Sequence, residues 1–316
     1  MRLRVVFFGN SESVFSERHF EALRATACDL VAVVDVPPAR RSSTNVRALT
    51  GALDFVEFAR QQGIPAFEPS SPNLPEFVQA MRELEPDLFI AVGYMNLLKE
   101  AVLAVPRIVA ANFHASLLPA YRGKHPVFWA LRNGERYSGL TVHVMDAGID
   151  TGDILYQVKV RTRQRDTVAS LYDRIMERSQ GLVARLVRDA EGRKLHRRPQ
   201  PEAGASYYSS VSQEDFRLDW SRDAEQLRRW IQTSHGQCFY DIAGQRVFFM
   251  DADTDKEDRM PGLSPGLLAR IGGTACTVTA GRGALRLRRV RLGQGDEKSM
   301  PQVCRELGLR LGDSFV

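Results

Sequence analysis

Metal-ligand spacing is missing from this chain. Its four cysteines, Cys28, Cys238, Cys276 and Cys304, stand far apart, and none forms a Cys-x-x-Cys pair. Zinc ribbons and dithiol redox sites therefore lack support. The six histidines, His19, His114, His125, His143, His196 and His235, show no ligand spacing either, so no metal is expected. No apolar stretch approaches membrane-spanning length, which argues against a membrane partner. The apolar run from Leu3 to Phe8 is too short for a signal-peptide core and suits a first buried strand. Scattered cysteines without pairs fit a reducing compartment, and a cytoplasmic location is expected. Gly9-Asn10-Ser11 is not a Gly-x-Gly-x-x-Gly fingerprint, so nicotinamide binding is disfavoured. Internal repeats and low-complexity tracts are missing as well. Charge of one sign is in small excess: 43 basic and 38 acidic residues give +5. That balance permits an anionic partner without demanding one.

The chain does have the length for two cores, with 316 residues of which 44% are hydrophobic. Strand and helix patterns alternate through its first two-thirds. Leu3 to Phe8, Leu30 to Val34, Ile64 to Phe67, Leu88 to Val92, Ile108 to Phe113, Leu140 to Met145 and Ile154 to Val160 read as strands. Glu17 to Ala25, Leu53 to Gln62, Leu74 to Leu84 and a long stretch from Val168 to Arg188 read as helices. The apolar runs are nearly continuous, as buried parallel strands require. This alternation predicts an α/β, doubly wound, Rossmann-like sheet with its site at the carboxyl ends of strands.

Composition shifts near residue 190, where Gly192 to Pro201 is basic and carries prolines. The expected organisation is a catalytic domain over 1–190, a linker over 191–206 and a second domain over 207–316. The last part holds one helix, Ala224 to Gln232, and short strands at Phe239 to Ile242, Arg246 to Met250, Leu267 to Ile271, Cys276 to Ala280 and Ala284 to Leu292. Gly and Pro punctuate them, which suits a small β-barrel with a helix.

The most specific pattern lies at two strand-to-loop junctions. Asn112-Phe113-His114 precedes Ser116-Leu117-Leu118-Pro119, and Asp150 follows within Met145 to Asp153. Asn112 and His114 alternate along a strand end, so both side chains face one way. Asp150 sits in a loop turned by Gly148 and Gly152, and converging ends of parallel strands bring it to His114. An amide, an imidazole and a carboxylate suit attack of an amine on an acyl carbon. Asn112 and a protonated His114 donate to the developing oxyanion. Asp150 favours the charged imidazole and accepts the amine proton, directly or through water. Each residue alone is equally well read as a turn-forming polar group.

Asn-x-His-x-Ser-Leu-Leu-Pro, then Tyr121-Arg122-Gly123, then Asp146-Ala147-Gly148-Ile149-Asp150-Thr151-Gly152-Asp153, resembles the 10-formyltetrahydrofolate-dependent formyltransferase family. Leu218-Asp219-Trp220, a following helix and Gly244-Gln245-Arg246-Val247 are similar to the family's OB-like C-terminal domain. The resemblance implies that Asn112, His114 and Asp150 are catalytic and that 10-formyltetrahydrofolate is the formyl donor. It places the pterin slot between the loop after strand four, Gly93-Tyr94-Met95-Asn96-Leu97-Leu98, and the loop that carries Asp146, Gly148 and Asp150. Met95 and Leu98 would wall the pterin, or they are simply core. It also turns the first loop, Asn10, Ser11, Glu12 and Ser13, toward the acceptor. Ser11 or Ser13 serves equally well as an ordinary helix cap.

Two acceptor classes follow from the family: a small primary amine, such as that of an amino-sugar nucleotide or a specialised metabolite, and methionyl initiator tRNA. The family's tRNA-modifying members usually carry Gly-Thr-Pro in the first loop and Ala-Ala-Pro-Ile after the Arg-Gly. Here the residues are Gly9-Asn10-Ser11 and Lys124-His125-Pro126-Val127. Their basic loop is echoed only in part by Ala39-Arg40-Arg41-Ser42-Ser43. His143 is similar to its counterpart in small-molecule formyltransferases. From Gly204 onward acids and bases are roughly balanced, whereas phosphate tracking wants an excess of bases. The small amine is thus the first expectation, with Lys124, His125 and Trp129 shaping its pocket. Trp129 is equally placed to be helix core. Initiator tRNA is the alternative, with Arg40, Arg41 and Arg47 meeting phosphates. Further alternatives are a hydrolase that passes the formyl group to water and a folate-binding protein without turnover.

Overall fold

A computed structural model describes residues 2–38, 53–255 and 263–316. The basic loop with Arg40, Arg41 and Arg47 lies outside the described residues. The first sheet takes β1 (Arg4–Phe8), β2 (Asp29–Val34), β3 (Ala66–Phe67), β4 (Leu88–Val92) and β5 (Val109–His114). After the short β6 (Arg122–Gly123) come β7 (Tyr137–Val144) and β8 (Ile154–Arg161). The order across the sheet is β3-β2-β1-β4-β5-β7-β8. Helices α1 (Val14–Arg24), α2 (Phe55–Gln61), α3 (Pro75–Glu83), α4 (Glu100–Leu103), α5 (Pro126–Arg132), α6 (Val168–Ser179) and α7 (Gly181–Glu191) accompany it. All five residues of β4 are buried, as a central strand covered on both faces must be. On one face Phe7, Phe20 and Phe55 pack in tilted and edge-to-face contacts with centroids 4.9 to 5.5 Å apart. Full burial of each such ring contributes about 1.5–3 kcal/mol.

Two expectations are corrected here. The sheet is not parallel throughout, because β7 runs antiparallel to both β5 and β8. Apolar runs carry no information on direction. The 145–153 connection is too short for a crossover, so β7 and β8 can only form a hairpin. The long helix from Val168 is also broken. Gln180 still bonds back to Met176 at 3.1 Å, but the Val183 N–H donates to Gln180 three residues back, also at 3.1 Å. That tightened turn falls at Gly181, a poor helix former.

The remaining chain forms β9 (Tyr207–Tyr208), α8 (Ala224–Thr233), β10 (Phe239–Ile242), β11 (Gln245–Thr254), β12 (Leu268–Ile271), β13 (Cys276–Thr279), β14 (Ala284–Leu292), β15 (Glu297–Ser299) and α9 (Met300–Glu306). The order β10-β11-β14-β13-β12, with β15 beside β14, is antiparallel throughout. Register shifts after Phe249 and Leu268 mark bulges that curl the sheet into a small barrel-like layer. Trp220, Leu227, Phe249, Leu287 and Val303 fill a separate core beneath it. The architecture is thus a Rossmann-like α/β sheet followed by a curled antiparallel domain.

The connector between the two sheets is seated, not free. Arg198 pairs with Ile154 at 2.8 and 3.0 Å, and β9 pairs in parallel with β6. Gly123 makes that approach possible, since a Cβ there would lie 2.2 Å from the Tyr208 carbonyl oxygen.

Candidate active site

The carboxyl ends of β1, β4 and β5 open into a cavity of about 610 Å³. Loops after these strands supply Asn10, Gly93 to Leu98 and His114, and the β7–β8 hairpin closes it with Met145, Asp146 and Gly148 to Asp150. Because β7 ends beside Ala111, this hairpin folds back over the face that carries Asn112 and His114. Gly152 permits the fold, since a Cβ there would sit 2.0 Å from the Val144 carbonyl oxygen. Asp146 ties the hairpin internally, accepting from Gly148 N at 3.1 Å and Thr151 Oγ1 at 2.7 Å.

Asp150 is where the polar groups converge. Its Oδ2 accepts from the Gly123 N–H at 2.8 Å and lies 3.5 Å from His114 Nδ1. Its Oδ1 accepts from Asn112 Nδ2 at 3.2 Å and lies 3.3 Å from His143 Nε2. The backbone holds Asp150 in the left-handed region, at φ 55. Burial opposes ionisation of this carboxyl. The His114 ring, the His143 ring and the Gly123 N–H outweigh it and hold the pKa well below the usual carboxylate range.

Two carbonyl oxygens fix the imidazoles. His114 Nε2 lies 2.8 Å from the Tyr121 carbonyl oxygen and so carries the proton. Its Nδ1 is left facing Asp150 and the cavity. Burial lowers the His114 pKa more than Asp150 and the Tyr121 carbonyl raise it. With the proton on Nε2, a neutral ring would present a lone pair at Nδ1 as proton acceptor. His143 Nδ1 lies 2.8 Å from the Val144 carbonyl oxygen, and its Nε2 lies 3.1 Å from Asn112 Nδ2. Asn112 Nδ2 thus donates to Asp150 and stands beside the His143 ring. The reversed amide would set its oxygen against the Asp150 carboxylate.

The remaining predicted residues divide in two. Asn10, Glu12, Ser13, Gly93, Tyr94, Met95, Asn96, Leu98, Asp146, Gly148, Lys124 and His125 all line the cavity. Ser13 also caps α1, accepting from Ser16 N at 3.3 Å. His125 begins α5 in the left-handed region, and burial beside Lys124 lowers its pKa to about 4. Ser11 and Trp129, in contrast, are not brought to the cavity. Ser11 turns away to bond Asp35 and accepts from Phe55 N at 3.0 Å. Trp129 is buried in α5 and stacks on Tyr208, with centroids 4.9 Å apart.

Sequence reasoning missed several neighbours. Phe15, Ile149, Tyr172 and Tyr207 also line the cavity. His143 was noted only as a family likeness, yet it sits opposite Asn112 across the β5–β7 pair. Only the antiparallel register would have exposed that partnership. Among the described residues, no three His, Cys, Asp or Glu side chains stand close enough to hold a metal ion.

Comparison with known proteins accounts for both sheets. Residues 3–187 match the family described as "Formyl transferase", and residues 210–307 match "Formyl transferase, C-terminal domain". A methionyl-tRNA formyltransferase of Synechococcus sp. (strain JA-3-3Ab) is 32% identical over 319 residues, covering 99% of this chain and 98% of that protein. A second, from Synechococcus sp. (strain JA-2-3B'a(2-13)), is 31% identical over 321 residues, covering 99% and 98%. The fold is shared with an N-formyltransferase from Helicobacter canadensis solved with folinic acid and dTDP-3-aminofucose. There the TM-score is 0.66 at 16% identity, over 92% of this chain and 100% of that one. HypX from Aquifex aeolicus, solved with tetrahydrofolic acid, has a TM-score of 0.56 at 19% identity, over 97% of this chain and 48% of that one. Two consecutive family matches spanning most of the residues, with near-full-length relatives above 30% identity, place this chain in the formyl transferase family of enzymes.

Proposed function

We propose that this enzyme transfers a formyl group from 10-formyltetrahydrofolate to a primary amine, most directly that of a small molecule. The observation that carries formyl transfer is the convergence of Asn112, His114 and the Gly123 N–H on the buried Asp150 carboxylate at the cavity wall. The cavity suits a folate donor: Tyr94, Met95, Leu98 and Ile149 offer apolar walls, and the loop from Gly93 to Leu98 lines it throughout. The bound folate supplies the formyl group.

The chain's residues then divide the work. His114 Nδ1, neutral at rest, takes a proton from the attacking amine. Asp150 and the Tyr121 carbonyl stabilise the imidazolium that results, and the same ring returns the proton to the departing nitrogen. Asn112 turns an N–H from Asp150 to the formyl oxygen as charge develops there. The formyl carbon–nitrogen bond to folate breaks as the bond to the acceptor forms, and one proton moves from acceptor to donor nitrogen. Asn10, Glu12, Ser13, Lys124 and His125 stand across the cavity as acceptor contacts.

A small acceptor is favoured by the state of the C-terminal arginines. Arg288 is paired with Asp253, Arg289 with Glu297 at 2.9 Å, Arg246 with Asp241 at 3.0 Å and Arg282 with Asp223 at 2.8 Å. Cations already neutralised by carboxylates release few counterions on a polyanion. Methionyl initiator tRNA is the second reading. It is favoured by the two tRNA formyltransferases that match this chain from end to end.

Formyl transfer from 10-formyltetrahydrofolate to methionyl initiator tRNA separates the two readings, with a bacterial tRNA formyltransferase as yardstick. Transfer at comparable rates overturns the small-amine reading. No transfer to tRNA, but transfer to an amino-sugar nucleotide, supports it. Formate release at the same rate without any amine would point to a hydrolase.

A further inference from the structure

The Asp150 hairpin is gripped from outside by a side chain of the connector. Gln200 Nε2 donates to the carbonyl oxygens of Asp150 at 2.7 Å and Gly152 at 2.8 Å. Gln200 Oε1 accepts from Arg122 Nε at 3.2 Å and Nη2 at 2.9 Å. A guanidinium only donates, so the amide oxygen must face Arg122 and the amide nitrogen must face the two carbonyls. The orientation of this amide is thus settled by its partners.

The grip falls where the hairpin is under strain. A left-handed backbone at a non-glycine residue is unfavourable and persists only when its surroundings over-determine it. The two hydrogen bonds from Gln200 act against that cost. The connector itself has little slack. Arg198 pairs with Ile154 on one side of Gln200, and Arg122 N donates to the Ser206 carbonyl at 2.8 Å on the other. Arg122 precedes Gly123, whose N–H reaches the Asp150 carboxylate at 2.8 Å. One assembly therefore fixes both the backbone of Asp150 and a donor to its carboxylate.

We propose that Gln200 is a positioning residue for formyl transfer: its amide, oriented by Arg122, holds the left-handed Asp150 so that the carboxylate faces His114. This inference rests on the roles given above to Asp150 and His114. A carboxylate displaced by about 1 Å can cost on the order of a hundredfold in turnover.

Gln200→Glu keeps the side chain's size and its partner for Arg122, but sets an oxygen against two carbonyl oxygens. Gln200→Met removes the donor without adding charge, and the two variants are read together in the full-length chain. Formyl transfer is followed with methionyl initiator tRNA and an amino-sugar nucleotide in parallel. It should fall roughly 10- to 100-fold in kcat, with the KM for 10-formyltetrahydrofolate kept. NMR titration of the His114 ring is the reading that a merely structural residue would not move. The titratable groups that face His114 are Asp150 from the hairpin and His143 from β7. Asp150 raises the His114 pKa, so a displaced carboxylate should let it fall, in the same direction as expected for Asp150→Asn. Wild-type titration in both Gln200 variants would overturn the proposal, and so would lost turnover with an unmoved His114. Should Asp150→Asn itself keep its turnover, the catalytic reading fails, while the titration still judges the grip.

Discussion

The two sheets of this enzyme use charge in opposite ways. The C-terminal sheet is dense in arginine, and its cations lie at the surface against nearby carboxylates: Arg289 with Glu297, Arg246 with Asp241, Arg282 with Asp223. Exposed pairs of this kind contribute about 0–1 kcal/mol each. The N-terminal sheet sets a small group of ionisable side chains, Asp150, His114 and His143, largely out of solvent at its cavity. The Asp150 carboxylate is 12% exposed, and donors and imidazoles surround it. The Arg246 hydrogen bond lowers the pKa of Asp241 at the surface as well, whereas Asp150 is lowered against its burial. Burial, more than the number of charges, tells chemistry from solvation in this chain.

The largest effect should come from Asp150. Asp150→Asn is expected to lower kcat by at least roughly a hundredfold while keeping 10-formyltetrahydrofolate affinity. Steady-state kinetics beside equilibrium folate binding checks this, and near-normal turnover would dissolve the contrast between the sheets. His114→Ala should cost roughly tenfold or more in kcat. In the proposed mechanism His114 works as the neutral ring, and burial lowers its pKa. The acid limb of kcat/KM should therefore lie below the ordinary histidine range, with activity lost as pH falls through it. A limb above pH 7 would mean that the imidazolium is the working form.

His19 offers an intermediate case. It is fully buried, and its two nitrogens are closed off by the Phe15 carbonyl at 2.8 Å and Ser179 Oγ at 2.9 Å. Burial lowers its pKa to about 4. Its folded-state pKa lies below the unfolded value, so its contribution to stability is full above about pH 6.5 and is lost as pH falls toward 4. The loss amounts to about 3 kcal/mol. His19→Gln should flatten that acid limb in thermal melts, and an unchanged limb would refute the assignment. The smallest effect belongs to the C-terminal surface. Arg289→Ala should change stability by no more than about 1 kcal/mol. With a small amine as acceptor, turnover should be untouched. A loss of turnover with initiator tRNA would instead give the arginine-rich sheet a task.

Much of the site was legible because its chemistry is written at strand ends. Asn112 and His114 share a face by parity alone, and the glycines of 146–153 announced a tight return. What parity could not supply was direction. Val142 and Val144 bury equally well in a strand running either way, so the reversed β7 and the Asn112–His143 partnership stayed hidden. Trp129 was ambiguous for a related reason: helical spacing from His125 does not say whether a ring faces the cavity or Tyr208. Ser11 was lost to Asp35, a partner that only the fold brings near. Gln200 was beyond reach, since one glutamine in a basic, proline-bearing connector follows no pattern.

The path of that connector has a consequence for recombining enzymes of this kind. Residues 198–208 belong to the second half by chain order, yet they seat on the hairpin and on β6. A chimaera joined near residue 191 would therefore take its C-terminal donor's side chains into the wall behind Asp150. A crossover placed after Tyr208 would exchange the outer sheet and leave the inherited wall whole.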